Sequence, residues 1–433
     1  MSSGPDIEKL LQPARIEALA NGGAGILRDG AGRVVFVPHT AVGDLVRCRI
    51  VRRKKNYAEA QLAELLEPGP GRRTPPCPVA GTCGGCQWQH LTYVEQAAWK
   101  ERLFRETLVR QCDVEAERIL PLLSAADEWN YRSRAQIKCH NTPAGLVTGF
   151  YRPQSRFVVG VDCCPILAPS LNELLGRLRS LLNGTSHAAL IPQLDLAVAD
   201  DGKRCVVVHY LGNDLDGLSK LLVETDLHAD LLIQAGSKAC RSLLRGDALL
   251  GIRVGDPPLL LNYRAGGFAQ VNLVQNSKLV DDLLALRDWS REERVLDLFC
   301  GMGNFSLPLA RLVKHVVGVE ESSVSIDMAR QNARMNGLPN LTFHARQAEG
   351  ARADNRDADI VVLDPPRSGA YSLMKELVAE PARAIVYISC DPQTLARDLK
   401  PLLHGGYRLV SSRPYDLFPQ THHCESITLL ERE

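Results

Sequence analysis

From Asn276 onward the sequence alternates short β-branched runs with helical stretches, and this rhythm constrains the fold more than any other feature of the chain. Parallel neighbours cannot be joined by tight turns. They need crossovers, usually helices, so the pattern specifies a doubly wound α/β sheet. Strands are read at 294–300, 315–320, 341–346, 359–366 and 384–390, and helices at 305–313, 322–336, 371–379 and 393–403. Two further apolar runs, 407–418 and 425–431, read as a closing hairpin. In such sheets ligands bind beyond the carboxyl ends of the strands, beside helix N-termini.

Those strand ends carry the chemistry. Asp297-Leu298-Phe299-Cys300-Gly301-Met302-Gly303-Asn304 is a strand, a glycine turn and a helix start, and Glu320 ends the next strand, 17 residues after Gly303. An acid there accepts both hydroxyls of a ribose. The third glycine of a dinucleotide fingerprint is missing. The pocket therefore suits S-adenosylmethionine (SAM), which needs no pyrophosphate cradle, better than NAD. Asp364-Pro365-Pro366-Arg367 ends another strand, and its prolines fix the backbone as it leaves the sheet. Where amino-methylating enzymes place an aromatic residue, this loop places Arg367. Cys390 ends the run Ala384–Ser389, just before the helix start at Pro392, where a helix N-terminus favours a thiolate. A buried structural thiol is the plainer alternative. Carbon methylation of a pyrimidine needs such a thiolate, because C5 of uracil is nucleophilic only after addition at C6. A base must then remove the C5 proton. Glu425 is the candidate, with His422 and His423 as rivals on chemistry alone.

The first half differs in kind. Residues 13–67 read as short strands with glycine and aspartate turns, a small β-barrel. Six of the nine residues from Arg47 to Lys55 are cationic, which suits contact with a phosphate backbone. A Pro/Gly linker ends this region, and Cys77-x5-Cys83-x2-Cys86 follows it. Three thiolates need a fourth ligand, with His90, Cys163 and Cys164 as candidates. No second knuckle of the zinc type is present, so an iron–sulfur cluster is the better reading. A helix is read over 91–111, then a mixed α+β region from about Trp129 to Ala269. Its basic start, Tyr131-Arg132-Ser133-Arg134, reads equally as an RNA-facing or a solvated strand face. Thirteen cysteines, an odd number, and an N-terminus without an apolar leader core point to a reducing cytosol rather than a disulfide scaffold. No uninterrupted apolar stretch is long enough to span a bilayer. Net charge is only +1, so any nucleic-acid contact must come from local patches.

The motifs DLFCGMGNF, LDPPRSG, SCDPQTLARDL and PQTHHCES resemble the SAM-dependent RNA uracil-C5 methyltransferases. Residues 13–68 resemble a TRAM domain. The barrel, the cysteine cluster and the CPIL segment together resemble the 23S rRNA branch of that family over nearly the full chain. The fold implied is a Rossmann-like SAM-methyltransferase domain (270–433), an OB-like TRAM barrel (1–69) and a central α+β domain carrying an iron–sulfur cluster (70–269). The resemblance implies Cys390 as nucleophile and Glu425 as general base. It implies cofactor contacts at Gln270, Phe299, Asn304, Glu320, Gln347 and Asp364. It also implies a [4Fe-4S] cluster on Cys77, Cys83, Cys86 and Cys164, structural and RNA-orienting, although Cys163 competes for the fourth position. The expected substrate is 23S rRNA, at uracil 1939 in the reference numbering, and the expected enzyme is cytoplasmic and monomeric. Two alternatives stay open: the same chemistry on another rRNA uridine or on tRNA, and a non-catalytic iron–sulfur RNA-binding protein.

Overall fold

The strand Ala384–Ser389 is buried along its whole length, as a run of Ala, Ile, Val and Tyr flanked by strands on both sides must be. It lies in a seven-stranded sheet of the computed structural model, which describes residues 10–236 and 241–432. The extreme N-terminus, expected to lack a leader core, therefore falls largely outside the described residues. The strands of this sheet are β1 (Arg294–Leu298), β2 (His315–Glu320), β3 (Leu341–Ala345), β4 (Ile360–Leu363), β5 (Ala384–Ser389), β6 (Tyr407–Tyr415) and β7 (Glu425–Arg432). Their spatial order is β3-β2-β1-β4-β5-β7-β6. The first five are parallel, while β7 runs antiparallel between β5 and β6. The order reverses between β1 and β4, which opens a crevice at their carboxyl ends.

The helices follow the sequence reading with local differences. Tyr371–Ala379 forms as read, and Pro392–His404 begins on Pro392, with Asp391 capping it by accepting from Thr394 N at 2.8 Å. The helix read over 305–313 spans only Ser306–Ala310. The amides of Arg311 and Leu312 turn back to carbonyls three residues earlier, and Lys314 N is claimed by Glu293 O. Elements without an expectation include the hairpin Leu249–Val254/Leu259–Arg264, the helices Leu215–Glu224 and Leu273–Ala285, the strand Arg241–Arg245 and the short helix Ala351–Asp354.

The chain packs as two compact units. The second holds residues 105–150, 158–417 and 424–433. Besides the sheet above it contains most of another seven-stranded sheet, whose spatial order starts at Arg241–Arg245 and ends at Val158–Gly160.

The first unit holds residues through Phe104, Tyr151–Phe157 and Phe418–His423. Its six-stranded barrel sheet encloses Ile16, Leu27, Val35, Val37, Val46, Cys48 and Ile50. The basic strand Leu45–Arg53 lies antiparallel to Tyr57–Glu67, and the register pairs cations with acids. Arg47 is ion-paired with Glu64, and Arg52 lies 3.9 Å from Glu59. The positive face is thus weaker than a count of cations suggests. Within the same unit Gln420, fully buried, receives hydrogen bonds from Arg73 (2.9 Å) and Gln96 (3.0 Å) on its side-chain oxygen. Its carbonyl accepts from the amides of Gln87 and Trp88.

Candidate active site

The turn after β1 is built on three left-handed residues, Phe299 (φ 64°), Gly301 (55°) and Gly303 (96°). Phe299 is the costly one, since a side chain in this region is strained and is held there only by its surroundings. At Gly301 a Cβ would meet no atom within 4 Å, so the turn borders open space. Asn304, at the start of the following helix, exchanges two side-chain hydrogen bonds with Asn276 (2.9 and 3.0 Å). Asn276 is buried on the helix Leu273–Ala285, and sequence reading missed it because 28 residues separate the two.

Three carboxylates meet at the ends of β1, β2 and β4. Asp297 is fully buried and accepts from the Ser306 hydroxyl through one oxygen, while its other oxygen has no partner. Burial raises its pKa to about 7, with Asp364 and Glu320 adding to the rise. Burial also lifts Asp364 to about 7. Glu320 receives the amide of Ser322 at 2.9 Å. A cluster of acceptors short of donors matches a ligand bearing an ammonium group, ribose hydroxyls and a cationic sulfur, as SAM does. Gln347, expected at the same pocket, lies exposed after β3.

Gln270 is fixed through its neighbours. Arg134 donates to the carbonyl of Ala269 (3.0 Å), and Ser133 donates to Val271 O through both its amide (2.8 Å) and its hydroxyl (2.9 Å). Asn272 caps the next helix and donates to Leu417 O at 3.2 Å. The basic stretch 131–134 is thereby occupied, at least at Arg134, in holding this segment.

Cys390 follows the last residue of β5, and Glu425 opens β7. Their neighbours Ser389 and Ser426 are directly opposed across the two strands, so the thiol and the carboxyl lie side by side. Glu425 is 5% exposed. Burial lifts its pKa to about 8, with Asp364 adding to the rise and Arg367 opposing it. Burial, then Glu425 and Asp364, push the Cys390 thiol up to about 12, again against Arg367. The helix N-terminus, expected to favour a thiolate, is therefore outweighed here.

Behind this pair stands Asp398, fully buried on the helix Pro392–His404. It accepts from the hydroxyl of Tyr387 on β5 (2.7 Å), from Ala370 N (2.7 Å) and from Arg397 (2.7 Å). Arg397 also donates to Ser368 O (2.7 Å), and Thr394 donates to Arg367 O (3.3 Å). The loop 364–370 is thus tied to the strand and the helix that flank Cys390. At Gly369 a Cβ would lie 2.4 Å from the Asp398 carboxylate, which leaves no room for a larger residue.

His422 and His423, the rivals to Glu425, belong to the first unit, where their rings lie 4.3 Å apart. Cys77, Cys83 and Cys86 also belong to the first unit, and Cys164 to the second. Among the described residues no group of three or more His, Cys, Asp or Glu side chains is arranged to hold a metal ion. Cys164 is the buried member of its pair, and Cys163 is exposed. Asn172 accepts from Cys164 N (2.8 Å) and donates to Cys164 O (3.0 Å).

A parallel sheet closed by one antiparallel strand, a glycine turn after its first strand and carboxylates on three strand ends define a SAM-dependent methyltransferase. Residues 107–433 match a family model described as tRNA (Uracil-5-)-methyltransferase, and residues 11–63 match the TRAM domain. The chain is 37% identical to the 23S rRNA (uracil(1939)-C(5))-methyltransferase RlmD of Alkalilimnicola ehrlichii, covering 96% of both chains. It is 35% identical to the RlmD of Xanthomonas oryzae pv. oryzae, again over 96% of each. Among solved structures it resembles the Pyrococcus abyssi tRNA (uracil-54, C5)-methyltransferase in complex with S-adenosyl-L-homocysteine. That likeness has a TM-score of 0.74 at 24% identity, over 96% of this chain and 99% of the other. The chain belongs to the SAM-dependent RNA uracil-C5 methyltransferases.

Proposed function

We propose that this enzyme methylates C5 of one uridine in 23S rRNA, the position numbered 1939 in the names of its relatives. The observation that carries the chemistry is the side-by-side position of Cys390 and Glu425, fixed by the register of β5 and β7. The target rests on relatives that share at least 34% identity over 96% or more of the chain.

In this reading the Cys390 thiol gives up its proton to solvent, the thiolate sulfur bonds to C6 of the uracil, and the C5–C6 electron pair moves to C5. SAM, when bound, supplies an electrophilic methyl group that C5 takes up. Glu425 then removes the C5 proton, the C5–C6 double bond reforms, and the bond from C6 to sulfur breaks to return the thiolate. A carboxyl raised to about 8 is a stronger base than an ordinary glutamate and suits that step. Arg367 lowers the pKa of both groups, which eases release of the thiol proton. Gln270, Phe299, Asn304, Glu320, Gln347 and Asp364 are the proposed cofactor contacts.

We also infer a structural [4Fe-4S] cluster on Cys77, Cys83, Cys86 and Cys164. Donor chemistry supports it: four thiols are soft ligands, and Cys83 Sγ accepts from Gly85 N at 3.4 Å, the kind of bond that tunes such clusters. No catalytic step passes through it. Anaerobic purification should give about four iron and four sulfide per chain; one zinc without sulfide would overturn the assignment. The partition into residues 1–69, 70–269 and 270–433 belongs to the same reading, as does a monomeric cytoplasmic enzyme. Among the described residues no helix is long and apolar enough to cross a membrane.

The test of function is methyl transfer from labelled SAM to protein-free 23S rRNA, with the modified nucleotide mapped. Label at C5 of uridine 1939 is expected. Label confined to tRNA, or none, would contradict the proposal.

A further inference from the structure

The tip Tyr151-Arg152-Pro153-Gln154-Ser155-Arg156-Phe157 has all seven residues exposed, and it contains two arginines, two aromatic residues and no acid. Exposed aromatic rings are unfavourable in water, and 58% of Phe157 is left there. The tip is nonetheless well built. Arg152 N donates to Phe157 O (2.9 Å), Ser155 N to Arg152 O (3.2 Å), and Phe157 N to the Ser155 hydroxyl (2.9 Å). The Arg152 guanidinium lies over the Phe157 ring, 4.7 Å from its centre. This stack holds both planes ready at little further entropic cost.

The tip is also anchored in its own unit. Gly84, between Cys83 and Cys86, donates its amide to Tyr151 O at 2.9 Å. A Cβ at Gly84 would sit 2.7 Å from that oxygen, so only glycine allows the approach. An ordered, acid-free platform of stacked aromatic and guanidinium groups matches one ligand class: single-stranded RNA, whose bases stack and whose phosphates are anionic.

We propose that residues 151–157 form a second RNA-contact platform, remote in sequence from the catalytic residues, that stacks an unpaired base of the substrate on Phe157 and pairs Arg152 and Arg156 with phosphates. The proposal rests on the reading that the substrate is RNA. It favours RNA over a protein partner because the Arg152 cation lies over an exposed ring and the tip carries a second arginine and no acid.

Phe157→Ala and the double variant Arg152→Ala/Arg156→Ala alter only exposed side chains, so folding should be retained. Binding of the full chain to protein-free 23S rRNA should weaken about tenfold for Phe157→Ala. For the double variant the slope of log K against log salt should become shallower by about 1 to 2, one for each phosphate that is no longer neutralised. The KM for SAM and kcat at saturating RNA should be unchanged. Wild-type methylation of the same transcript, measured alongside, tests the substrate reading separately. Unchanged RNA affinity and salt slope in both variants, with the wild type active, would overturn the platform and point to a protein partner or none.

Discussion

Ser426 on β7 faces Ser389 on β5 in the antiparallel register, and its hydroxyl donates to the Ser389 carbonyl at 3.4 Å. One residue beyond this pair on each strand lie Cys390 and Glu425. Sheet register, more than any loop, thus sets the separation of the proposed nucleophile and base. A one-residue slip would send one of them to the other face of the sheet.

Glu425 works as a base only when deprotonated. Because its pKa is raised to about 8, log kcat/KM should climb with pH from the acid side and begin to level near pH 8. Glu425→Gln should abolish turnover yet still attach covalently to the RNA, because addition at C6 precedes proton removal. A pH–rate profile and a denaturing gel check the two halves.

The same raised pKa has a stability consequence. The folded protein holds protons on Glu425 and Asp364 at pH values where the unfolded chain has released them. Stability from these groups is therefore complete below about pH 4 and declines as the pH rises through 7 to 8. Thermal midpoints should fall across that window for the wild type, and the fall should be smaller in Glu425→Gln.

Asp398 should be costly to remove. Asp398→Ala leaves the Tyr387 hydroxyl and Ala370 N without their buried acceptor, which we expect to cost about 3–5 kcal/mol. Tyr387→Phe removes one bond and should cost about 1–2 kcal/mol. Urea titrations measure both. The milder variant should still lower kcat, because the loop that carries Arg367 loses part of its support.

Asn276→Ala removes the partner of Asn304 without touching the glycine turn. SAM affinity measured by calorimetry should fall about five- to tenfold, in line with about 1 kcal/mol for a missing hydrogen bond, while RNA affinity stays the same.

The parallel sheet was legible because each strand is a short apolar run between turn signals, and all five formed within three residues of their expected ends. The strand-end residues Asp297, Glu320, Asp364 and Cys390 were legible for a related reason: topology alone sends strand ends to one crevice. What escaped depends on partners distant in sequence. Nothing local marks Asn276, Ser133 or Arg134 as supports of the cofactor segment, since each acts through partners 28 or more residues away. The glutamates opposite Arg47 and Arg52 were equally invisible until the register was known. The rise in the Cys390 pKa was not legible, because a helix terminus can be read from sequence, whereas burial beside two carboxylates cannot.

Covalent catalysis by Cys390 is the central claim, and substrate RNA carrying 5-fluorouridine at the target position tests it most directly. Fluorine at C5 cannot leave as a proton, so the adduct formed after methyl transfer should persist. With SAM present, the wild type should give a denaturation-resistant complex whose cross-linked peptide contains Cys390, and Cys390→Ala should give none. A complex formed equally by Cys390→Ala, or mapped to another residue, would contradict covalent catalysis by this thiol.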